Sequence, residues 1–186
     1  MKNFKFSRLF AAVTFVAILA LAGCKHPDTS SLASLYGTWV EASTYGNAYY
    51  KITSTTFENY GDTYESYAGN ALTVVEDTED SGRIFIKYTK SYESTNTKPT
   101  GDDADTWTYV AANPAWGTAE YWYRYSTTAP DVGKWYAISY KDLTANSIKI
   151  SGAAGTKTSC DTLEEAKNEF TVDNGYFTYY SACAKQ

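Results

Sequence analysis

Leu35-Tyr36-Gly37-Thr38-Trp39-Val40-Glu41 reads as a β-strand entered through a glycine. Its residues alternate, with Trp39 and Glu41 on one face and Thr38 and Val40 on the other, the period of two that a pleated strand imposes. Outward from it the same signal recurs. Residues 48–53, 55–60, 63–68, 71–76 and 83–89 are short runs rich in aromatic and β-branched side chains, each bounded by Gly, Asn, Asp or Ser. In the last of them Ile84, Ile86 and Tyr88 point one way and Arg83, Phe85 and Lys87 the other, as in a half-buried strand. Residues 106–111, 119–127, 134–140 and 147–151 continue the series, separated by turns at Asn113-Pro114, 130–133 and Ala145-Asn146. Residues 92–105 are polar and carry Pro99 and Gly101, so a long loop is expected there, of the kind that in a compact domain is functional or disordered.

A helix is signalled late in the chain. Thr162-Leu163-Glu164-Glu165 has the form of a capping box, and Leu163, Ala166 and Phe170 follow at helical spacing on one face. A final strand is expected over 176–181, after the turn Asn174-Gly175. Nine or ten short strands at meander spacing, one short C-terminal helix and a last strand describe an all-β domain, an antiparallel barrel or a sandwich.

The composition agrees. Aromatic residues make up 17% of the chain, with 18 Tyr and 5 Trp, which suits pleated, half-buried surfaces. The single histidine, His26, precedes the first predicted strand, so a domain beginning at Leu35 has no imidazole for a Ser-His-Asp triad, a Cys-His pair or a His-ligated metal. The acids cluster in turn-like runs, 76–80 and 102–105, where solvated loop positions are expected rather than a catalytic pair. No catalytic residue, metal ligand or cofactor is therefore assigned, and the chain is read as a non-enzyme.

The amino terminus carries an address. Lys2, Lys5 and Arg8 precede an apolar run over 9–22 interrupted only by Thr14, with small residues at Ala22 and Gly23. Fourteen residues fall short of the roughly 20 that cross a bilayer, so the run is read as a secretory signal. Without residues 1–23, which hold three cations and no acid, 13 Lys+Arg face 21 Asp+Glu, a net charge of −8 that disfavours nucleic acid as a partner. The expected organisation is a signal over 1–23, a flexible tether over 24–34 and one domain over 35–186.

Two resemblances refine this reading. Leu21-Ala22-Gly23-Cys24 resembles the lipobox of bacterial lipoproteins, which implies cleavage before Cys24, a diacylglycerol on its thiol and a place at the outer membrane or cell surface. Gly37-Thr38-Trp39 resembles the Gly-x-Trp signature of the calycins, a group that includes the lipocalins, in which the tryptophan plugs the closed end of a barrel. The order of strands, late helix and last strand is similar to that of lipocalins, so the resemblance implies an antiparallel meander β-barrel with Gly37 and Trp39 at its base. It also implies a basic residue after a late strand packed over that tryptophan, whereas Arg83 and Arg124 stand elsewhere in the order. From the lipobox to Phe170 the chain is similar to spirochaete lipoproteins.

A barrel of about eight strands is just wide enough to be filled by side chains or to hold one small ligand. The strands around Trp122-Tyr123 and Trp135-Tyr136 are aromatic on both faces, so Trp122, Tyr123, Trp135, Tyr136 and Tyr140 are the candidate ligand-binding residues. Their alternative role is core packing. Cys160 and Cys183, an even pair in an exported chain flanking the helix and the last strand, are expected to form a structural disulfide rather than a redox pair. Two functional classes follow: a binder of a small apolar or aromatic molecule, and a surface module contacting another protein.

Overall fold

A computed structural model of the chain describes residue 32 and residues 34–186. The signal, Cys24 and most of the tether lie outside the described residues. Ten strands follow in order: β1 (Gly37–Glu41), β2 (Ala48–Ile52), β3 (Phe57–Gly61), β4 (Glu65–Glu76), β5 (Gly82–Thr95), β6 (Thr108–Val110), β7 (Tyr121–Ser126), β8 (Trp135–Lys141), β9 (Ser147–Gly152) and β10 (Ser181–Lys185), with helix α1 (Leu163–Glu169) between the last two. Every pairing is antiparallel. Strands β1 to β5, then β8, β9 and β10, neighbour one another in sequence, β10 returns to β1, and β4 pairs β5, so eight strands close into a meander barrel. The chain is all-β, as its alternation implied.

The barrel has two cores separated by its wall. Inside, Trp39, Ile52, Phe57, Ile84, Ile86, Ile138, Ile148 and Ile150 are at most 1% exposed, joined by Tyr88, Tyr136, Tyr140 and Cys183. Outside, Phe85 and Ala137 take the opposite face of β5 and β8 and pack under α1 against Ala166 and Phe170. The helix begins as predicted: the Glu165 amide donates to Thr162 Oγ1 and the Glu165 carboxylate accepts from the Thr162 amide, each at 3.2 Å. At its other end Arg83 Nη1 donates to the carbonyls of Lys167 and Phe170, groups that a helix terminus leaves without intrahelical partners.

Trp39 sits at the base. Its indole N–H donates to the Leu35 carbonyl at 2.8 Å, which satisfies the one polar atom of a fully buried side chain. Over its ring, 4.9 Å from the centroid, lies the ammonium of Lys185, which also donates to the Ser34 carbonyl at 2.8 Å. The cation expected over the tryptophan is thus a lysine at the end of β10. Gly37, at φ +139°, makes room for it, since a Cβ there would stand 2.8 Å from Lys185 Cε.

Several expectations need correction. The two strands expected over 63–68 and 71–76 are one, because β5 pairs β4 on both sides of the junction, from Ala68 to Asn70 and from Thr73 to Glu76; an irregularity between Asn70 and Thr73, with Ala71 at φ +53°, takes the place of a turn. The last strand is Ser181–Lys185 rather than 176–181: Tyr176 and Phe177 are buried against α1, while the small Ala182 and Ala184 stand where β10 threads between β1 and β9. Cys160 and Cys183 are free, not bonded. Cys183 belongs to the barrel interior opposite Ile148, whereas Cys160 bridges Trp135 in the outer core beneath α1, so the two thiols belong to different cores.

The expected loop over 92–105 is also partly a strand. β5 runs past the barrel to Thr95, and Ser91 to Thr95 pair with β7, which in turn pairs β6. The end of β5 together with β7 and β6 therefore builds a three-stranded sheet that projects from the barrel at the end opposite Trp39.

Candidate functional site

At that end the barrel presents tyrosines. Tyr88 of β5 stacks on Tyr136 of β8 with centroids 5.0 Å apart, and Tyr67 of β4 meets both edge-on, at 6.1 and 5.4 Å. Below them Tyr67 stacks on Phe57. Alternation brings each ring inward, and Gly152 lets Tyr136 reach its place: a Cβ there would stand 2.5 Å from the Tyr136 hydroxyl, which instead donates to the Ala153 carbonyl at 2.9 Å.

The hydroxyls of Tyr67 and Tyr88 make no hydrogen bond among the described residues, yet neither is sealed from solvent, because the one sealed and partnerless side-chain polar atom among those residues is Ser91 Oγ. Burial raises the pKa of Tyr67, Tyr88 and Tyr136, so all three remain neutral donors. Tyr125 of β7 pairs with Tyr92, which stands on the same face of β5 as Tyr88, and so lies beside the mouth.

From Tyr125 the array continues along the projecting sheet. Register and alternation put Tyr92, Tyr121, Tyr123 and Tyr125 on one face, with Tyr92 stacked on Tyr123 at 5.8 Å and edge-on to Tyr125 at 5.7 Å. The other face carries Trp122 against Tyr109 and a clamp around Arg124. Its guanidinium lies 4.4 Å from the Trp107 ring centroid and donates to Glu93 at 2.7 Å, Asp103 at 2.6 Å and Thr106 at 2.9 Å. Those carboxylates, Glu93 first, raise the pKa of Arg124 further and occupy its charge.

The five sequence candidates do not form one site. Tyr136 stands at the mouth, and Tyr123 continues its tyrosine face outward. Tyr140 is buried near the base, where it pairs Gly82 and feels Glu76 and Asp77. Trp135 belongs to the outer core beneath α1, and Trp122 lies on the face of the sheet opposite Tyr123. Tyr67, Tyr88, Tyr92 and Tyr125 were not singled out; the alternation of 84–88 and 121–125 marked Tyr88 and Tyr125, but only register could join them.

Two clefts lie at the loops beside the mouth. One of about 610 Å³ is lined by Tyr60, Asp62, Tyr64, Glu65 and Lys90, and a neighbour of about 420 Å³ shares Asp62 and Tyr64 with it. Asp62 is held by the Asn47 amide and the Tyr49 hydroxyl, each at 2.8 Å, and these bonds lower its pKa. Both clefts are open, with mixed polar and apolar linings, and Glu65 and Lys90 in the first are paired with each other. Among the described residues no group of three acidic, Cys or His side chains is placed to hold a metal, and no helix is long and apolar enough to cross a membrane. No protein-family model, curated protein or solved structure matches the chain.

Proposed function

We propose that this is a membrane-anchored lipoprotein with a lipocalin-like barrel, held by lipid on Cys24 at the outer membrane or cell surface, that binds a small apolar or aromatic molecule at the barrel mouth. The observation that carries this reading is two tyrosine clusters joined by the inward face of β5, Tyr67, Tyr88 and Tyr136 inside the mouth and Tyr92, Tyr123 and Tyr125 on the projecting sheet. Tyrosine offers a flat apolar body and a polar tip, the combination that small-molecule sites use. The base is closed by Trp39 and the lower interior is filled with isoleucine, so the ligand lies at the rim rather than deep in the barrel. The chain enters the domain beside Leu35, at the base and so at the end opposite the mouth, within roughly 40 Å of Cys24 at full extension.

A titration with the neutral fluorescent probe N-phenyl-1-naphthylamine tests it. Saturable, one-to-one enhancement that is lost in Tyr125→Ala is expected; no enhancement in the unmodified protein would contradict it. In that event the second reading gains, a protein-contact surface made by the half-exposed aromatics Tyr92 and Tyr109 on opposite faces of the projecting sheet.

A further inference from the structure

Tyr67 and Tyr88 bring to the mouth two hydroxyl groups that no group among the described residues engages, while the third, on Tyr136, is committed to Ala153. A tyrosine hydroxyl donates one hydrogen bond and accepts others. Seated against the edges of Tyr67, Tyr88 and Tyr136, a bare hydrocarbon would displace water from both hydroxyls and put nothing in its place, which costs binding. An occupant with an acceptor oxygen would restore those bonds.

Charge narrows the choice again. Three cations near the mouth are taken: Lys90 by Glu65, Arg124 by Glu93 and Asp103, and Lys134 by Asp131. Asp131 is close enough to Tyr88 to act on it electrostatically, and the whole chain carries a net −5. A carboxylate entering here would meet negative potential and no free ammonium or guanidinium from that set. The flat walls, stacked or edge-on, match an aromatic ring better than a flexible acyl chain.

We infer that the mouth, taken as the ligand site proposed above, selects a neutral planar aromatic molecule bearing a carbonyl-type oxygen, and discriminates against carboxylates. Tyr67 and Tyr88 supply the donors, and Tyr136 and Tyr125 supply the walls.

Three ligands of one skeleton test this by competition against N-phenyl-1-naphthylamine: 2-acetylnaphthalene, which has the acceptor, 2-ethylnaphthalene, which lacks it, and 2-naphthoate, which is charged. The expected order is 2-acetylnaphthalene tighter than 2-ethylnaphthalene by about tenfold, the gain of one to two neutral hydrogen bonds, with 2-naphthoate weakest. In the double variant Tyr67→Phe, Tyr88→Phe the advantage of the ketone disappears and 2-ethylnaphthalene binds more tightly, because the hydroxyls it left without partners are gone, and that gain is the variant's own control for folding. Equal affinities in the unmodified protein, a ketone advantage that survives the double variant, or 2-naphthoate binding best would overturn the inference and leave the site itself standing. Failure of the fluorescent probe and of all three ligands would instead overturn the site.

Discussion

The barrel and the sheet that projects from it are built from the same residue types for different ends. In the barrel each strand has a neighbour on both sides, and the inward positions at the base, Trp39, Ile138, Ile148 and Ile150, are almost wholly removed from water. In the projecting sheet, β6 is three residues long with one free edge, aromatics occupy both faces, and Tyr92 and Tyr109 are about half exposed, at 45% and 52%. The sheet is not needed for closure, because β8 pairs β5 directly. It holds its shape through ring contacts worth about 0.5–1.5 kcal/mol each and through the Arg124 clamp. A region that the core does not require, and that still spends its residues on tyrosine, is where function is to be sought.

Substitutions should separate the two regions. Trp39→Ala is expected to cost about 3–5 kcal/mol in urea unfolding, because it leaves a cavity at the base and strands the Lys185 ammonium. Tyr123→Ala on the sheet is expected to cost about 1.5–2 kcal/mol by the same measurement, since it loses three partly exposed ring contacts, each at the low end of the range for ring pairs. If both cost the same, the sheet is part of the cooperative core and the contrast fails.

Alkaline pH probes the interior next. Burial pushes the Tyr50 hydroxyl up to about 12 and the Cys183 thiol up to about 12, above ordinary values near 10 and 9. A group whose folded pKa is raised stabilises the fold fully below its unfolded value and loses that contribution as pH climbs to the folded one. Stability by chemical denaturation should therefore be flat up to about pH 9 and fall between 9 and 12, with tyrosine ionisation followed at 295 nm lagging until the barrel opens. Ionisation of all tyrosines near 10 without unfolding would mean an open interior.

Smaller effects are expected outside the barrel. Thr162→Ala removes the capping box of α1 and should lower stability by about 1 kcal/mol. Reductant should change nothing: Cys160 and Cys183 are free, so thermal unfolding curves with and without dithiothreitol should coincide, and a lower midpoint under reduction would mean that the two thiols meet.

Alternation made the barrel legible, since Trp39, Ile84, Ile86 and Tyr88 declare their face by spacing alone. What spacing does not carry is which strands meet. Gly69-Asn70 reads as a turn until β5 is known to pair on both sides of it. Ser181-Ala182-Cys183-Ala184-Lys185 looks too weak for a strand, yet it closes the ring between two strands already formed. Parity paired the cysteines, but inward and outward faces are invisible in a count. The site was half legible for the same reason: Tyr123 and Tyr136 stood out in aromatic runs, whereas Tyr67 and Tyr88 gain meaning only when β4, β5 and β8 stand side by side.

The most direct test of the account measures two quantities on one variant, Tyr123→Ala, Tyr125→Ala: the thermal midpoint and the affinity for N-phenyl-1-naphthylamine. Removing the tyrosine face beside the mouth should weaken binding at least tenfold while the midpoint moves by only a few degrees, because the barrel below is intact. Binding that survives the change, or a midpoint that collapses together with it, would contradict the division of the molecule into a structural barrel and a tyrosine-lined site.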